Sequence, residues 1–568
     1  MADLSRRSFI QGLGVGAVAS VGTIVGVPAN AAALPKWDKT TDVVVVGMGG
    51  AGMATAIAAA DDGAKVMILE RQPEATHRSN TRMSGGFFHG PDKNGDPKAL
   101  FEYSLAMLSG DNIPWKGEGE QPEVAEGMAR VWAKYAPTTV EWMKSLDPEF
   151  KVTTSPKYKG AAFKNFPGAA DCAYQVWNAT YLSKASGNVS SYNLPKNETH
   201  HGEAFHHCLL TGVKNRAAKI ERVYEFRAQH LVKNDKGEVI GVIGDYKGKS
   251  MAIKARKAVV LCSGGYEYNA PMRRAFLEGP GIEGWAFYGT TFNEGDGIRM
   301  AQEAGAGLMK AGKAASRIIW PAPVRHNGMR IGMITPVVGM GHSIVVDNYG
   351  KRYTAENKVT DDPSRYFFYK EAVKFNISTL QYAQTPSWLI FDETLRLKRP
   401  LINYYDSTPG YDFIDYGKPD NSDAIAKGWI LKADTIEELG KLIKAQGENR
   451  DRMDPAVLAK TVATYNQYCA DGEDKEFNRK KRTLQPVKDG PFYAIPLVAG
   501  GPNTKGGLAA NEKREVLDWN LKPIPGLYCV GEIASALKFV YQAGGNLTEC
   551  LIYGQACGKE VAKLPNRA

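Results

Sequence analysis

The sequence predicts an α/β fold whose nucleotide-binding domain is discontinuous in the chain. Three observations predict it. Residues 42–71 read as an apolar strand, a glycine turn, a helix and a second strand. Residues 258–266 hold another apolar run, ending in Gly264-Gly265. Residues 525–532 hold a third near the C-terminus, ending in Gly531-Glu532. Strands from distant parts of the chain that finish in glycine turns must meet around one ligand.

The first stretch is the most detailed. Val43–Val46 are apolar without alternation, as a parallel strand buried on both faces needs. Gly47, Gly49 and Gly52 then fit G-x-G-x-x-G, with Ala51 inside the turn. Gly47 permits the tight turn, Gly49 lets the backbone approach a pyrophosphate, and Gly52 lets the helix lie close to the strand. The helix N-terminus offers free N–H groups and a positive dipole end to phosphates. Val66–Leu69 form the next strand, which ends in Glu70-Arg71. Glu70 is placed to accept a hydrogen bond from a ribose hydroxyl. Strand, glycines, helix, strand and acid in this order predict a Rossmann-like dinucleotide-binding unit.

An export signal precedes it, over residues 1–33. Arg6-Arg7 open a glycine- and alanine-rich apolar stretch from Gly12 to Val27, followed by small residues at Pro28–Ala33. Charged start, apolar middle and A-x-A end form a signal peptide, and the paired arginines resemble the twin-arginine export signal. The apolar part is short for a membrane span; an uncleaved N-terminal anchor is the alternative. Twin-arginine export carries folded proteins, so a periplasmic or other extracytoplasmic site of action is expected.

With 568 residues the chain suits two domains, and 43% hydrophobic with 23% charged residues is ordinary globular composition. The net charge of +10 is a mild excess at this length, and no nucleic-acid motif accompanies it. The basic run Asn478–Arg482 reads as a solvated helix end rather than a partner site. Seven scattered cysteines match neither a haem nor an iron–sulfur spacing and read as buried small hydrophobes. His200, His201, His206 and His207 cluster beside Cys208, but no ligand set at usual metal spacing completes them, so no metal is expected.

The loops point to FAD. Ser79–Gly86 contains Asn80, Thr81, Ser84 and the pair Gly85-Gly86, short residues suited to lie along a flavin pyrophosphate and ring edge. Gly264-Gly265 ends the second apolar strand, and Gly295-Asp296-Gly297 opens a helix. Gly531-Glu532 ends the last strand, and Tyr541–Leu547 leads into a final helix.

This order resembles the flavoprotein family of fumarate reductase, urocanate reductase and 3-ketosteroid dehydrogenases, over roughly residues 40–567. The resemblance implies non-covalent FAD, with Glu70 on the adenosine ribose and Glu532 on the ribityl or ribose portion. It implies that Asn546 and Leu547, at a helix N-terminus, face the flavin N1/O2 edge. A helix dipole there would stabilise the anionic reduced ring by ~0.3–1 kcal/mol. His89 is the one nearby candidate for a covalent link, without a motif for it. The resemblance also implies an inserted α+β capping domain at 313–489, between FAD-binding parts 34–312 and 490–568. The insert contains Gly350–Glu356, similar to the family's G-x-R-[FY]-x-N-E with Ala355 in place of Asn. Closure of the cap would exclude water from hydride transfer.

The substrate is expected not to be a dicarboxylate. Where fumarate reductases place a proton-donor Arg, this chain has Thr360. Their carboxylate-binding His and Arg fall on Lys538 and Gln542, and their His-Pro-Thr element on Trp320-Pro321-Ala322. A buried carboxylate without cationic partners is costly. The C-terminal motif instead resembles 3-ketosteroid dehydrogenases, in which a Tyr hydroxyl and a Gly N–H polarise the substrate ketone; these fall on Tyr541 and Gly545. Hydride addition beside a carbonyl develops enolate charge that two aimed donors stabilise. Packing of Tyr541 on the flavin is the alternative. That family's cap tyrosine falls on Val359–Thr360, which leaves Arg365, Tyr366 and Tyr369 as candidates for proton transfer.

The expected activity is an exported FAD-dependent reductase of a C=C bond conjugated to a carbonyl, with a steroid-like or plant-phenolic enone as substrate. Electrons would come from a quinol- or cytochrome-linked membrane system. The alternatives are a 3-ketosteroid dehydrogenase, a fumarate- or urocanate-type acid reductase, and a noncatalytic flavin carrier. Because a receptor reads the arginine pair itself and not charge alone, Arg6→Lys with Arg7→Lys should leave the protein in the cytoplasm. Fractionation of expressing cells checks this, and unchanged export would point to another route or an anchor.

Overall fold

The computed structural model describes residues 34–109, 122–155, 158–180, 201–335, 337–357, 367–402, 420–538 and 540–567. The expected signal peptide, His200, Val359, Thr360, Arg365 and Tyr366 lie outside them. The chain divides into two units, Met1–Lys36 and Trp37–Ala568, and the sheets and cavity belong to the second.

One sheet is built around Lys39–Val46. Its order is Glu515–Leu517, Pro523–Cys529, Lys249–Leu261, Lys39–Val46, Val66–Leu69, Ile220–Val223. The five strands from Pro523–Cys529 to Ile220–Val223 run parallel. Val43–Val46 are buried, and a central parallel strand covered on both faces needs such an unbroken apolar run. A hairpin, Phe226–Lys233 with Val239–Tyr246, extends Lys249–Leu261 in antiparallel sense.

The register decides where ligands go. Val46 pairs with Leu69 on one side and Leu261 on the other, and Leu261 pairs with Cys529. Four parallel strands therefore stop level, and the residues after them, Gly47, Glu70, Cys262 and Val530, start loops at one sheet edge. Open parallel sheets bind ligands outside these carboxyl ends. The helix Gly50–Asp61 leaves the first loop and is buried over Gly50–Ala60. The last helix, Gly545–Lys563, lies against it at close range. A Cβ on Gly554 would sit 2.7 Å from that of Ala54, and one on Gly558 would overlap the carbonyl of Thr55.

A second sheet has the order Trp285–Phe287, Met329–Met333, Arg317–His326, Phe492–Gly501, Ser387–Phe391, Ser343–Val346. It holds much of the insert expected at 313–489, and it also takes Trp285–Phe287 and Phe492–Gly501 from outside that range. Helices Ile436–Lys444 and Pro455–Asp471 bury Leu439, Ile443, Leu458, Val462 and Tyr465 against Ile344, Trp388 and Ile390.

The G-x-R-[FY]-x-N-E-like segment serves this second sheet as a buried ionic knot. Arg352 is bidentate to Glu356, with both contacts at 2.8 Å, and reaches Asp474 at 2.8 Å. Arg479 donates to Glu356 at 3.2 Å and to the carbonyl of Ser343 at 2.7 Å. The ring of Tyr465 lies 5.1 Å from one guanidinium and 5.2 Å from the other. Arg479 thus departs from the solvated basic run expected at 478–482: its charge is buried because the Glu356 carboxylate, the carbonyls of Ser343 and Met340 and the Thr483 hydroxyl complete its coordination. Burial pushes the Glu356 and Asp474 carboxyls up, but the guanidinium contacts outweigh it and hold both below the ordinary range. Carboxyls whose folded pKa is depressed contribute stability above the unfolded values of about 4 and lose it as pH falls. Arg352→Ala should destabilise the protein by about 3–5 kcal/mol, since it leaves two buried carboxylates short of a partner. Thermal melts at pH 7 and pH 4 check this; the wild type should lose more of its Tm on acidification than the variant.

Candidate active site

The level strand ends open on a cavity of about 750 Å3. Gly47 has φ +105°, and its N–H donates to the Leu69 carbonyl at 2.7 Å, which fastens the turn to the second strand. A Cβ on Gly47 would meet the Cys262 carbonyl, and one on Gly52 would overlap the Gly47 carbonyl. Both glycines are needed by the protein itself. Gly49 differs: a Cβ there would lie 3.8 Å from Ser79 Cβ and Thr81 Oγ1, ordinary contact distances. The space Gly49 leaves open belongs to the cavity.

The loop 79–86 closes one wall. The N–H of Gly50 donates to Thr81 Oγ1 at 2.8 Å. Ser84 Oγ donates to the Thr81 carbonyl at 2.8 Å and accepts from the N–H of Gly86 at 3.2 Å. Asn80 Oδ1 accepts from the N–H of Thr290 at 2.7 Å, and its Nδ2 donates to Glu532 Oε2 at 2.9 Å. Asn80 thus clamps together loops from the start, middle and end of the chain.

Glu70 accepts from the N–H groups of Met48 (3.0 Å) and Gln72 (2.9 Å) and lies 3.4 Å from His77 Nε2. Burial raises its carboxyl, but His77 and these two N–H groups outweigh that and hold it below the ordinary range. Ionised, it offers two acceptor oxygens at the cavity wall, which suits it to take a hydroxyl of a bound nucleotide. Arg71 donates to Glu294 Oε2 at 2.8 Å and Asp296 Oδ2 at 3.2 Å, and Arg227 pairs with Asp296 at 2.9 Å. These ion pairs frame the same end of the cavity.

Fifteen of the residues expected from sequence line the cavity: Gly47, Gly49, Ala51, Glu70, Arg71, Asn80, Thr81, Ser84, Gly85, Gly264, Asp296, Glu532, Tyr541, Asn546 and Leu547. Gly52, Gly86, Gly265 and Gly545 stand behind it, where a Cβ would strike neighbouring protein atoms. Gln542, singled out from sequence for the Arg it replaces, also lines the cavity, whereas sequence reasoning missed Asn503 and Asn293. Asn503 Oδ1 accepts from Asn546 Nδ2 at 2.7 Å and follows Gly500-Gly501, a glycine pair like the others at the cavity.

The loop before the last helix carries Tyr541. It is held by His89, which is fully buried: its Nε2 is 3.0 Å from the Ala543 carbonyl and its Nδ1 is 2.7 Å from the Tyr174 hydroxyl. A carbonyl only accepts, so Nε2 carries the proton and Nδ1 accepts from Tyr174. Burial pushes His89 down to about 4, so it is neutral. Both ring nitrogens are occupied, which leaves no nitrogen for the covalent flavin link considered from sequence. Tyr103 donates to Gln542 Oε1 at 2.5 Å and accepts from the N–H of Ala162 at 3.1 Å.

The expected donor at Gly545 is spent in the structure. Its N–H donates to the Gln542 carbonyl at 2.9 Å, closing the turn that sets Tyr541. Gly544, with φ +96°, caps the helix, so the N–H groups of Asn546 and Leu547 in the first turn face away from any intrahelical acceptor. Lys505 Nζ lies 5.2 Å from the centre of the Tyr541 ring and is bonded to Ser535 (2.9 Å) and Glu549 (3.0 Å). Tyr369 is buried against Trp285, with ring centres 5.4 Å apart, and does not line the cavity. The clustered histidines separate: His201 meets the Ala179 carbonyl at 2.8 Å, and His206 lies against His77.

An FAD fits this cavity. It has a glycine cradle, a buried carboxylate at the end of the second strand, and a helix N-terminus at the far side. Ser263 Oγ and Asn546 Oδ1, both in lining residues, are buried without a protein partner. The family described as FAD binding domain matches residues 42–547.

The chain belongs to the FAD binding domain family.

It is an FAD-dependent oxidoreductase of the fumarate reductase and ketosteroid dehydrogenase group, acting on C–C bonds. A fumarate reductase (cytochrome) of Shewanella frigidimarina is 26% identical over 531 residues, covering 92% of this chain and 77% of the relative. A digoxin reductase of Eggerthella lenta is 26% identical over 561 residues, covering 93% and 88%. The crystal structure of 3-ketosteroid Δ1-dehydrogenase from Sterolibacterium denitrificans, with 1,4-androstadiene-3,17-dione, superposes with TM-score 0.72 at 22% identity, covering 92% and 99%. Gly49→Val should fold with little loss of Tm yet carry no FAD, because the added side chain fits the protein but fills the cofactor's space. The ratio of flavin to protein absorbance in the purified variant checks this; full loading would overturn the placement of the pyrophosphate.

Proposed function

We propose that this protein is an exported reductase that delivers hydride to a C=C bond conjugated to a carbonyl. The observation that carries the reading is Tyr541, buried and lining the cavity beside the N-terminus of the last helix. Bound FAD supplies the hydride chemistry. Tyr541 donates its hydroxyl to the substrate carbonyl, where charge grows as hydride arrives at the conjugated carbon. The first turn of the last helix, at Asn546 and Leu547, holds the flavin edge. Tyr103 and His89 keep the Tyr541 loop in place. Arg365 or Tyr366, on the segment after the Arg352–Glu356 knot, delivers the proton to the second carbon.

Two further points support an enone over a dicarboxylate. Gln542 stands where acid reductases of the family place an Arg, and its amide oxygen is held by Tyr103. Digoxin reductase is a relative of nearly the same length, so the fold reduces a substrate larger than fumarate. Electrons come from a quinol- or cytochrome-linked donor, in keeping with the cytochrome fumarate reductase relative. The ketosteroid dehydrogenase likeness keeps the oxidative direction as a second reading.

Purified protein with a reduced dye should turn over a neutral enone faster than fumarate, and equal fumarate turnover would overturn the substrate class. Tyr541→Phe should retain FAD and lose about 10²-fold or more in kcat, the cost of one missing donor to a developing oxyanion. Substrate affinity should change less. A variant with near-normal kcat would make Tyr541 a packing residue. Arg365→Ala and Tyr366→Phe in the same assay assign the proton donor.

A further inference from the structure

An acid pair lies under the cavity that the reading above leaves unused. Glu267 follows Gly264-Gly265 and is fully buried; Glu532 follows the last parallel strand and lines the cavity. Glu267 Oε1 accepts from the N–H of Thr504 at 3.0 Å, while its Oε2 has no donor. Glu532 Oε2 accepts from Asn80 at 2.9 Å and Asn293 at 3.4 Å, and its Oε1 from Thr504 Oγ1 at 3.3 Å. Glu267 Oε2 and Glu532 Oε1 converge: a Cβ on Gly265 would fall 2.8 Å from Glu267 Oε2 and closer still to Glu532 Oε1.

The charged groups around the pair are committed elsewhere. Lys505 is bonded to Ser535 and Glu549. Arg273 spends its guanidinium on the carbonyls of Gly281, Ile282, Trp285 and Glu267. The Tyr266 hydroxyl donates to the Ala311 carbonyl, and burial keeps the Cys550 thiol protonated. Among the described residues neither carboxyl has an ion-pair partner. A buried carboxyl and a half-buried one in contact, with no counter-charge beside them, resist ionising together. Burial pushes both up, and Glu267 pushes Glu532 further, well above the carboxylate range.

We propose that Glu267 and Glu532 share one proton beneath the FAD site, and that Glu267 is a positioning residue that makes FAD affinity pH-dependent. The inference rests on the FAD cavity described above. The shared proton links Glu267 Oε2 to Glu532 Oε1, which also accepts from Thr504, and holds the Glu532 carboxyl at the cavity wall beside Asn80. FAD brings a negatively charged pyrophosphate and excludes water, and both disfavour loss of that proton. The bound form therefore keeps the proton to higher pH than the free form, and affinity falls as pH rises past the free pair's upper titration.

The test is FAD binding to apo-protein, followed by flavin fluorescence between pH 6 and 9. Wild-type Kd should rise with pH, approaching about tenfold per unit for a single linked proton. Glu267→Gln, whose amide donates to Glu532 without titrating, should bind FAD with a nearly flat profile. A flat wild-type profile, or a Glu267→Gln variant that keeps the wild-type slope, overturns the proposal and leaves the cofactor site standing. Failure to bind FAD at any pH overturns both. Should the variant not fold, wild-type calorimetry at the steep part of the profile, in two buffers of different ionisation enthalpy, should show proton uptake on binding; no uptake overturns the proposal.

Discussion

The level ending of four parallel strands is the constraint on which the rest of the molecule depends. Val46, Leu69, Leu261 and Cys529 are paired neighbours, so the loops after them begin at one edge. Each loop then brings one kind of group: Gly47–Ala51 a backbone cradle, Glu70 an acceptor, Gly264 and Gly265 close backbone approach, Glu532 a carboxyl. A slip of one residue in any pairing would turn that strand's side chains to the opposite face and misplace its loop. Apolar side chains from residues far apart in sequence thus fix polar groups to one small region.

At the other end of the cavity the device is different. The Tyr541 loop has no regular structure of its own and is positioned by buried polar contacts. Trp132 Nε1 donates to the Tyr174 hydroxyl at 3.2 Å, Tyr174 to His89, and His89 to the Ala543 carbonyl. Each member has one role because the final acceptor is a carbonyl. Buried networks that are fully satisfied rigidify what they hold, and here they hold the loop that carries Tyr541 at the cavity wall.

The parallel core was legible from residues 42–71, 258–266 and 525–532, because an unbroken apolar run followed by glycine has few other structural uses. Glu70 and Glu532 were legible for the same reason, as the first acids beyond such strands. Tertiary partners were not. Nothing local in Asn293 distinguishes it from other loop asparagines, and Asn503 has only the Gly500-Gly501 pair before it; which loops meet decides the place of both. Arg479 looked solvated because its neighbours in sequence are basic, whereas its neighbours in space are Glu356 and two carbonyls. Gly545 followed a family pattern, but the turn ending on Gln542 uses its N–H. The boundaries of the second sheet were also hidden, since Trp285–Phe287 and Phe492–Gly501 each run directly into cavity-lining stretches.

The sheet order has a consequence for how the protein is made. Lys39–Val46 is among the first structured segments to leave the ribosome, yet Gly531-Glu532 and the last helix are among the final ones. Until those residues emerge, Lys249–Leu261 has an open edge where Pro523–Cys529 belongs, and the helix Gly50–Asp61 lacks the partner that covers it. The cradle is therefore completed only once the stretch from Pro523 to the last helix has been made, and a full FAD site waits for it. Contacts between residues nearly 500 positions apart form slowly because of their chain-closure entropy. A chain built this way spends its early life with apolar surface exposed, and the cell must hold it soluble until its last strand arrives.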